Sequence, residues 1–374
     1  MKRTLTALAV LLTSASCASA ADVDIYGAID LFVAVNNDAG EVSTALSSGG
    51  STGSYIGIKG AEKISNNLEA VFKLEAGFLA DDGSYAQSFA GNTSRLFHRE
   101  AWVGLRSPVC GQLSFGRQYT PHFLTWAMTD VNGLSLGTAA SPFFFPGRVA
   151  TMGGDDPTTD DLVRRNNAVF YATPNWHGFT GMLYGAFGES ETQEGSSTAG
   201  NVYNAAVNYA NGPFFIMGSV LYQDLAKPAV PYAASGRDYT GHNMYYEVAA
   251  TYDFGFTKAA VQFEYKNGQG TAEGPDFYVG QIGATTPLWG GRLNTTAAYL
   301  HDLDNDDADG YSFGIRYDYD LSKRTMVYAG MTALFNDDNS QRAVEAGADS
   351  SYHFETSEAG NNVQQFFVGM RHAF

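Results

Sequence analysis

Hydrophobic and polar positions alternate along most of this 374-residue chain. From Asp22 to Asn36, Val23, Ile25, Gly27, Ile29, Leu31, Val33 and Val35 share one parity, while Asp24 and Asp30 fall on the other. A period of two marks a β-strand with one apolar face, and this run exceeds the about 5 to 6 residues usual in globular sheets. The pattern resumes after a polar stretch, with Ile56 and Ile58 opposite Tyr55 and Lys59, and again from Leu68 to Phe78, where Glu69, Lys73 and Glu75 occupy one face. Further strands are predicted at 95–107, up to Tyr119, and at 166–173, 178–188, 202–210, 213–223, 242–252, 256–266, 276–285, 291–302, 310–319, 323–335 and 363–374, sixteen in all.

The connections sharpen the picture. Short turns such as Asn211-Gly212, Asp253 to Gly255 and Asp320 to Ser322 alternate with long polar loops such as 189–201, 224–241 and 336–362. An even strand count puts both termini on the short-turn side, the sequence form of a membrane β-barrel. A sandwich has no reason for such asymmetric ends, and a sheet survives in lipid only when closed, because every backbone donor and acceptor there must be paired. In the strand at 310–319, Tyr311, Phe313, Ile315, Tyr317 and Tyr319 are expected to face lipid and Ser312, Gly314, Arg316 and Asp318 the lumen. Trp102, Trp176 and Trp289, near short turns, are expected in the interfacial girdles. The expected fold is all-β: a transmembrane antiparallel 16-stranded β-barrel.

Between Tyr119 and Arg165 the alternation stops, and no sustained helical period replaces it. A structureless stretch of this length is expected to be functional. It carries the apolar clusters Phe123, Leu124, Trp126 and Phe143 to Phe145, beside Asp155, Asp156, Asp160 and Asp161. By strand count it is the third long loop, and its apolar residues call for packing against a surrounding wall.

Composition and charge narrow the class. Lys2 and Arg3, an apolar core from Leu5 to Thr13, and Ala18-Ser19-Ala20 form a secretory signal, so residues 1–20 are expected to be removed and 21–374 to form the barrel. Cys17 allows a lipoprotein signal as the alternative, with Ser14 standing where a large aliphatic residue belongs. The mature chain then holds only Cys110, which excludes an internal disulfide. The formal net charge of −17, more negative still without Lys2 and Arg3, disfavours nucleic acid as a partner. Glycine (42), tyrosine (22) and phenylalanine (25) are abundant; no run after the signal is long and apolar enough for a membrane helix, a test that alternating strands escape.

Several segments carry a family resemblance: IYGAID, SYIGIKGAEKISNNLEAVFKLEAGF, FHREAWVGL, LSFGRQYTP, RRNNAVFYATPNWHGF, YDLSKRTMVYAG and the ending FFVGMRHAF. They are spread over the whole mature chain, which resembles the general porins of the Gram-negative outer membrane, in particular the trimeric sixteen-stranded type of beta-proteobacteria and Neisseria. The resemblance implies a homotrimer set in outer-membrane lipid and lipopolysaccharide, passing ions and small hydrophilic solutes. It implies that the third loop, about residues 120–164, folds inward to a constriction. Basic residues of the wall, Lys59, Arg99, Arg164 and Arg117, with Glu75 nearby, would face acidic groups of that loop, Asp155 and Asp156 or, at its other end, Asp130. The chain departs from the family at Tyr55, where arginine is common, and in SPFFFPG, which stands for the usual PEFGG.

Parity tests these positions independently. Lys59 and Glu75 lie on the polar faces of their strands. Arg99 shares parity with Val103 and Leu105, which leaves two readings open: a bulge, or His98 and Glu100 pointing inward instead. Arg164 and Arg165 are adjacent, so one faces the lumen in either register.

Other chemistry finds little support. The seven histidines show no metal-ligand spacing, the acidic run from His301 to Asp309 fits no EF-hand frame, and nucleophile-elbow and phosphate-loop motifs are absent. No metal, cofactor or enzymatic turnover is expected. The expected function is passive diffusion through a water-filled channel; the alternatives are a substrate-specific channel using Trp126 or the Phe143 to Phe145 cluster as an aromatic slide, and an adhesin or scaffold without a useful pore. Acidic vestibules favour cations and the local arginine cluster favours anions; the cluster is given more weight because it lies where water is scarce.

Overall fold

A computed structural model describes residues 22–86, 96–144, 162–188, 200–224, 241–270, 275–344 and 356–374. The predicted signal, residues 1–20, lies outside them. The described chain forms one antiparallel sheet closed on itself. Its segments are β1 (Asp22–Asp38), β2 (Glu41–Ser48), β3 (Tyr55–Ser65), β4 (Leu68–Gly77), β5 (Glu100–Ser107), β6 (Gly111–Tyr119), β7 (Arg164–Ala172), β8 (Phe179–Ala186) and β9 (Val202–Asn211). They continue with β10 (Phe214–Asp224), β11 (Gly241–Asp253), β12 (Lys258–Gly270), β13 (Phe277–Leu288), β14 (Gly291–Asp302), β15 (Gly310–Asp320), β16 (Thr325–Asn336) and β17 (Val363–Ala373). Two helices, α1 (Pro121–Thr129) and α2 (Ser141–Phe144), lie between β6 and β7.

Seventeen segments make a sixteen-stranded barrel because β2 and β3 are halves of one interrupted strand. Leu31 to Asp38 of β1 pair with β2, and Asp22 to Ala28 pair with β3. Residues expected as the first long loop are therefore largely strand, joined to β1 through the two-residue turn Ala39-Gly40, both at positive φ. The chain leaves the sheet only at 49–54, where the backbone N–H groups of Ser51 and Thr52 donate to Asp30 Oδ2 and the Tyr328 hydroxyl donates to Oδ1. Gly50 is needed there, since a Cβ would collide with the Tyr328 hydroxyl. Closure comes from β1 against β17, in register from Ala28↔Ala373 to Asp38↔Val363.

The faces sort as the alternation predicts. Along β15, Tyr311, Phe313 and Ile315 are exposed and Ser312, Arg316 and Asp318 buried. A band of exposed apolar side chains, including Val103, Val207, Val248, Phe263 and Ile282, covers the outer face of the sheet. Trp176 and Trp289 stand at short turns, 73% and 86% exposed. Trp102 does not join that girdle: its Nε1 donates to Glu100 Oε1, with which it shares the inner parity of β5.

Candidate functional site

The segment between β6 and β7 opens with a helix that its sequence specifies locally. The Thr120 hydroxyl caps the Phe123 N–H at 3.1 Å, and Pro121 occupies the first turn, where no donor is needed. Trp126 and Phe143, fully buried, enter one apolar cluster with Leu134, Phe277, Leu300, Leu334 and Val363. Beyond the helix, Asp130 folds the chain back on itself. Its Oδ2 accepts from the Asn132 and Leu134 N–H groups and the Thr138 hydroxyl, at 2.9, 2.8 and 2.8 Å, and its Oδ1 accepts from Gln281 Nε2 at 2.7 Å.

The same segment is fastened along the polar face of the sheet. Trp126 Nε1 donates to Glu264 of β12, Ala140 N–H to Gln281 of β13, and Ala139 N–H to Thr296 of β14. Arg316 of β15 donates to the Ser135 hydroxyl and the Leu136 carbonyl, while its Nε and Nη2 hold Asp318. Gly314 lets the backbone approach, because a Cβ would overlap the Gly137 carbonyl. Leu136 then reaches the interrupted strand, its N–H donating to the Gly50 carbonyl and its side chain packing with Phe32, Tyr328 and Phe367.

Across the barrel, β3 to β7 present a charged cluster. Glu75 accepts from Arg99 Nε and from the Tyr26 hydroxyl, with Lys73 Nζ at 3.2 Å, and Lys73 is paired with Glu100. Arg99 and Arg164 both donate to the Tyr119 hydroxyl, at 3.1 and 3.3 Å. Arg99 lies over the Tyr55 ring at 4.7 Å and Arg164 over the Tyr119 ring at 4.9 Å. Tyr55, the family departure, thus serves as a stacking platform. Lys59 is largely exposed, 3.9 Å from Asp24 and 5.1 Å from the Tyr26 ring centre.

Each proposed wall residue can now be placed. Lys59, Glu75, Arg99 and Arg164 lie together. The question over Arg99 resolves because it precedes β5: Glu100 points inward and Arg99 still reaches Glu75. Arg117 sits at the irregular register between β6 and β7 and is committed to the His98 carbonyl and Asn166. Arg165 donates to the Gly200 carbonyl. Asp155, Asp156, Asp160, Asp161 and Phe145 lie outside the described residues. Sequence reasoning passed over Lys73 and Tyr119 as members of this cluster and offered Glu100 only as an inward-pointing alternative; the shared parity of Lys73 and Glu75 was the signal available. On the short-turn side, Arg292, Arg316, Lys323, Arg324 and Arg371, with Asp318 and Asp320, line a cavity of about 370 Å³.

A closed sixteen-stranded barrel with an apolar exterior and a charged interior is the frame of an outer-membrane channel. The family model for Gram-negative porins matches residues 5–339. The chain belongs to that family. This porin is 31% identical to outer membrane porin protein 32 of Delftia acidovorans, over all of both chains. It is 26% identical to the major outer membrane protein P.IB of Neisseria meningitidis, over 95% of this chain and all of that one. Among solved structures, the anion-selective porin from Comamonas acidovorans superposes with a TM-score of 0.77 at 24% identity, covering 95% of this chain and all of the other. This porin resides in the outer membrane and works as a channel.

Proposed function

We propose that this porin is a general diffusion channel whose third loop folds into the lumen and narrows it, with a preference for anions at the narrowest point. The carrying observation is the fastening of residues 126–140 to the polar, inward parity of β12 to β15. A segment so held lies inside a closed sheet and opposite Lys59, Lys73, Arg99 and Arg164. Asp130 is the described carboxylate of that segment, and its oxygens are already occupied by Asn132, Leu134, Thr138 and Gln281. Its charge remains, but Lys59, Lys73, Arg99, Arg117 and Arg164 outnumber Asp24, Glu75, Glu100 and Asp130, so the fixed charge facing a passing ion is positive in balance, and such charges set ion preference. Trp126 and Phe143, 1% and 0% exposed, offer no ring face to a solute, so among the described residues an aromatic slide finds no support; Phe145 and the Phe144 side chain lie outside them. The Comamonas relative is described as anion-selective, which agrees in sign.

Reversal potentials in planar bilayers test this. Replacing Lys59 and Arg164 with glutamine is expected to shift permeability toward cations; an unchanged reversal potential removes both from the constriction.

A trimer is the assembly we infer. Exposed large side chains on β1 to β3 are aliphatic (Val23, Ile25, Ile29, Val33, Val42, Leu46, Ile56), whereas β9 to β15 expose Tyr203, Tyr246, Phe263, Tyr299 and Tyr311. Aromatic girdles belong to lipid interfaces. An apolar face without them suits contact with another copy.

A further inference from the structure

The contact between α1 and the wall contains a group of side chains that the channel function does not require. His122, in the first turn of α1, brings its Nε2 to 3.3 Å from Glu247 Oε1 of β11 and 3.3 Å from Glu264 Oε2 of β12, and all three side chains are 1% exposed. One ligand atom from each lies within 4.8 Å of the others, the one such grouping among the described residues. His122 is held at backbone and ring: its main-chain N–H donates to Asn204 Oδ1, and the Tyr245 ring meets the imidazole edge-on at 5.3 Å. Glu264 is fixed by the Trp126 indole N–H at 3.0 Å.

Three features point to a cation at the common focus. A single imidazole nitrogen faces two carboxylates, and if protonated it has one hydrogen to give, so the imidazole cannot serve both. Both Glu247 oxygens are buried and lack a hydrogen bond of ordinary geometry, the Ser219 and Thr125 hydroxyls standing beside them. Buried carboxylates in that condition are costly unless paired or bound to a metal. Finally, the 3.3 Å separations exceed the usual N–H···O distance of about 2.9 Å. They match the spacing of about 3.3 to 3.4 Å between ligands bonded tetrahedrally at about 2.0 to 2.1 Å to zinc.

We propose that His122, Glu247 and Glu264 form a buried site for one divalent transition-metal ion, which staples α1 to β11 and β12. Two carboxylates and a neutral imidazole balance a dipositive charge, and one nitrogen with two oxygens is a donor set that suits zinc. The site goes beyond the channel function and stands whether or not the third loop sets the constriction.

Zinc itself is the probe. Full-length porin refolded with a chelator, then given zinc and desalted, is expected to retain one zinc ion per chain by elemental mass spectrometry, and Glu247→Gln none above the chelated control. Equal retention by the variant, or no retention by the wild type, overturns the proposal. Should the variant fail to reach the folded, heat-modifiable form, X-ray absorption on the zinc-loaded wild type decides. An oxygen and imidazole shell at about 2.0 to 2.1 Å supports the site. A sulfur-containing shell, which implicates Cys110, or oxygens without imidazole, overturns it.

Discussion

Asp130 gathers four donors onto one carboxylate, and its removal tests whether the loop is held by hydrogen bonding or by its apolar cluster. In Asp130→Ala the Asn132 and Leu134 N–H groups, the Thr138 hydroxyl and the Gln281 amide lose their acceptor inside the protein. Buried donors left without partners cost about 1 to 3 kcal/mol each, and relaxation recovers part of the sum. A net loss on the order of 3 kcal/mol corresponds to roughly a hundredfold faster amide exchange at Asn132 and Leu134. Hydrogen exchange read by mass spectrometry checks this, and unaltered exchange would assign the hold to Trp126, Leu134 and Phe143 instead. Single positions also show what sequence can convey. Lys59 and Glu75 were readable from parity, whereas Arg99 was ambiguous because it precedes β5, where parity no longer binds. His122, Glu247 and Glu264 left no local trace, since their ligand atoms are brought together from α1, β11 and β12.

At the level of elements, strands with one apolar face were legible and those without were not. β15 could be read face by face because Tyr311, Phe313 and Ile315 alternate with Ser312, Gly314 and Arg316. β2, with the sequence EVSTALSS, carries mainly small polar residues and was taken for a loop. α1 was hidden for a different reason: Thr125 and Thr129 are buried with Trp126 and turn their hydroxyls back onto the Pro121 and Thr125 carbonyls, so no apolar stripe forms. Thr120-Pro121 was the available start signal. The loop between β14 and β15 carries a pH dependence of its own. Burial pushes Asp309 up, but hydrogen bonds from Tyr299, His301 and the Asp302 N–H outweigh it and leave its carboxyl below the ordinary value. A carboxyl lowered by folding contributes stability above its unfolded pKa and loses it as pH falls through the folded one. The Asp302 amide is therefore expected to stay protected at neutral pH and lose protection below the ordinary carboxylate range of about 4. Asp309→Asn should remove that step, and a step retained in the variant would assign it to another carboxylate.

For the whole molecule, the contrast between an aliphatic β1 to β3 and an aromatic β9 to β15 predicts where copies meet. Val33 pairs with Leu46 on one side and with Val368 on the other. A lysine at Val33 should dissociate the inferred trimer while the barrel stays folded, because between two apolar faces its charge is buried without a partner, whereas on a monomer the long side chain can snorkel toward the headgroups. Unheated electrophoresis reads the outcome: a compact monomer is expected, and a persisting trimer would move the interface elsewhere. The pairing of β1 with β17 has a consequence in time as well as in space. The first strand to leave the ribosome is completed only by the last, down to Gly27 exchanging backbone hydrogen bonds with Phe374. Until the final residues have been translated and carried across the inner membrane, the nascent sheet has two raw edges that lipid will not tolerate. Insertion must therefore wait for the complete chain, and the interval before it is when this porin most needs an escort.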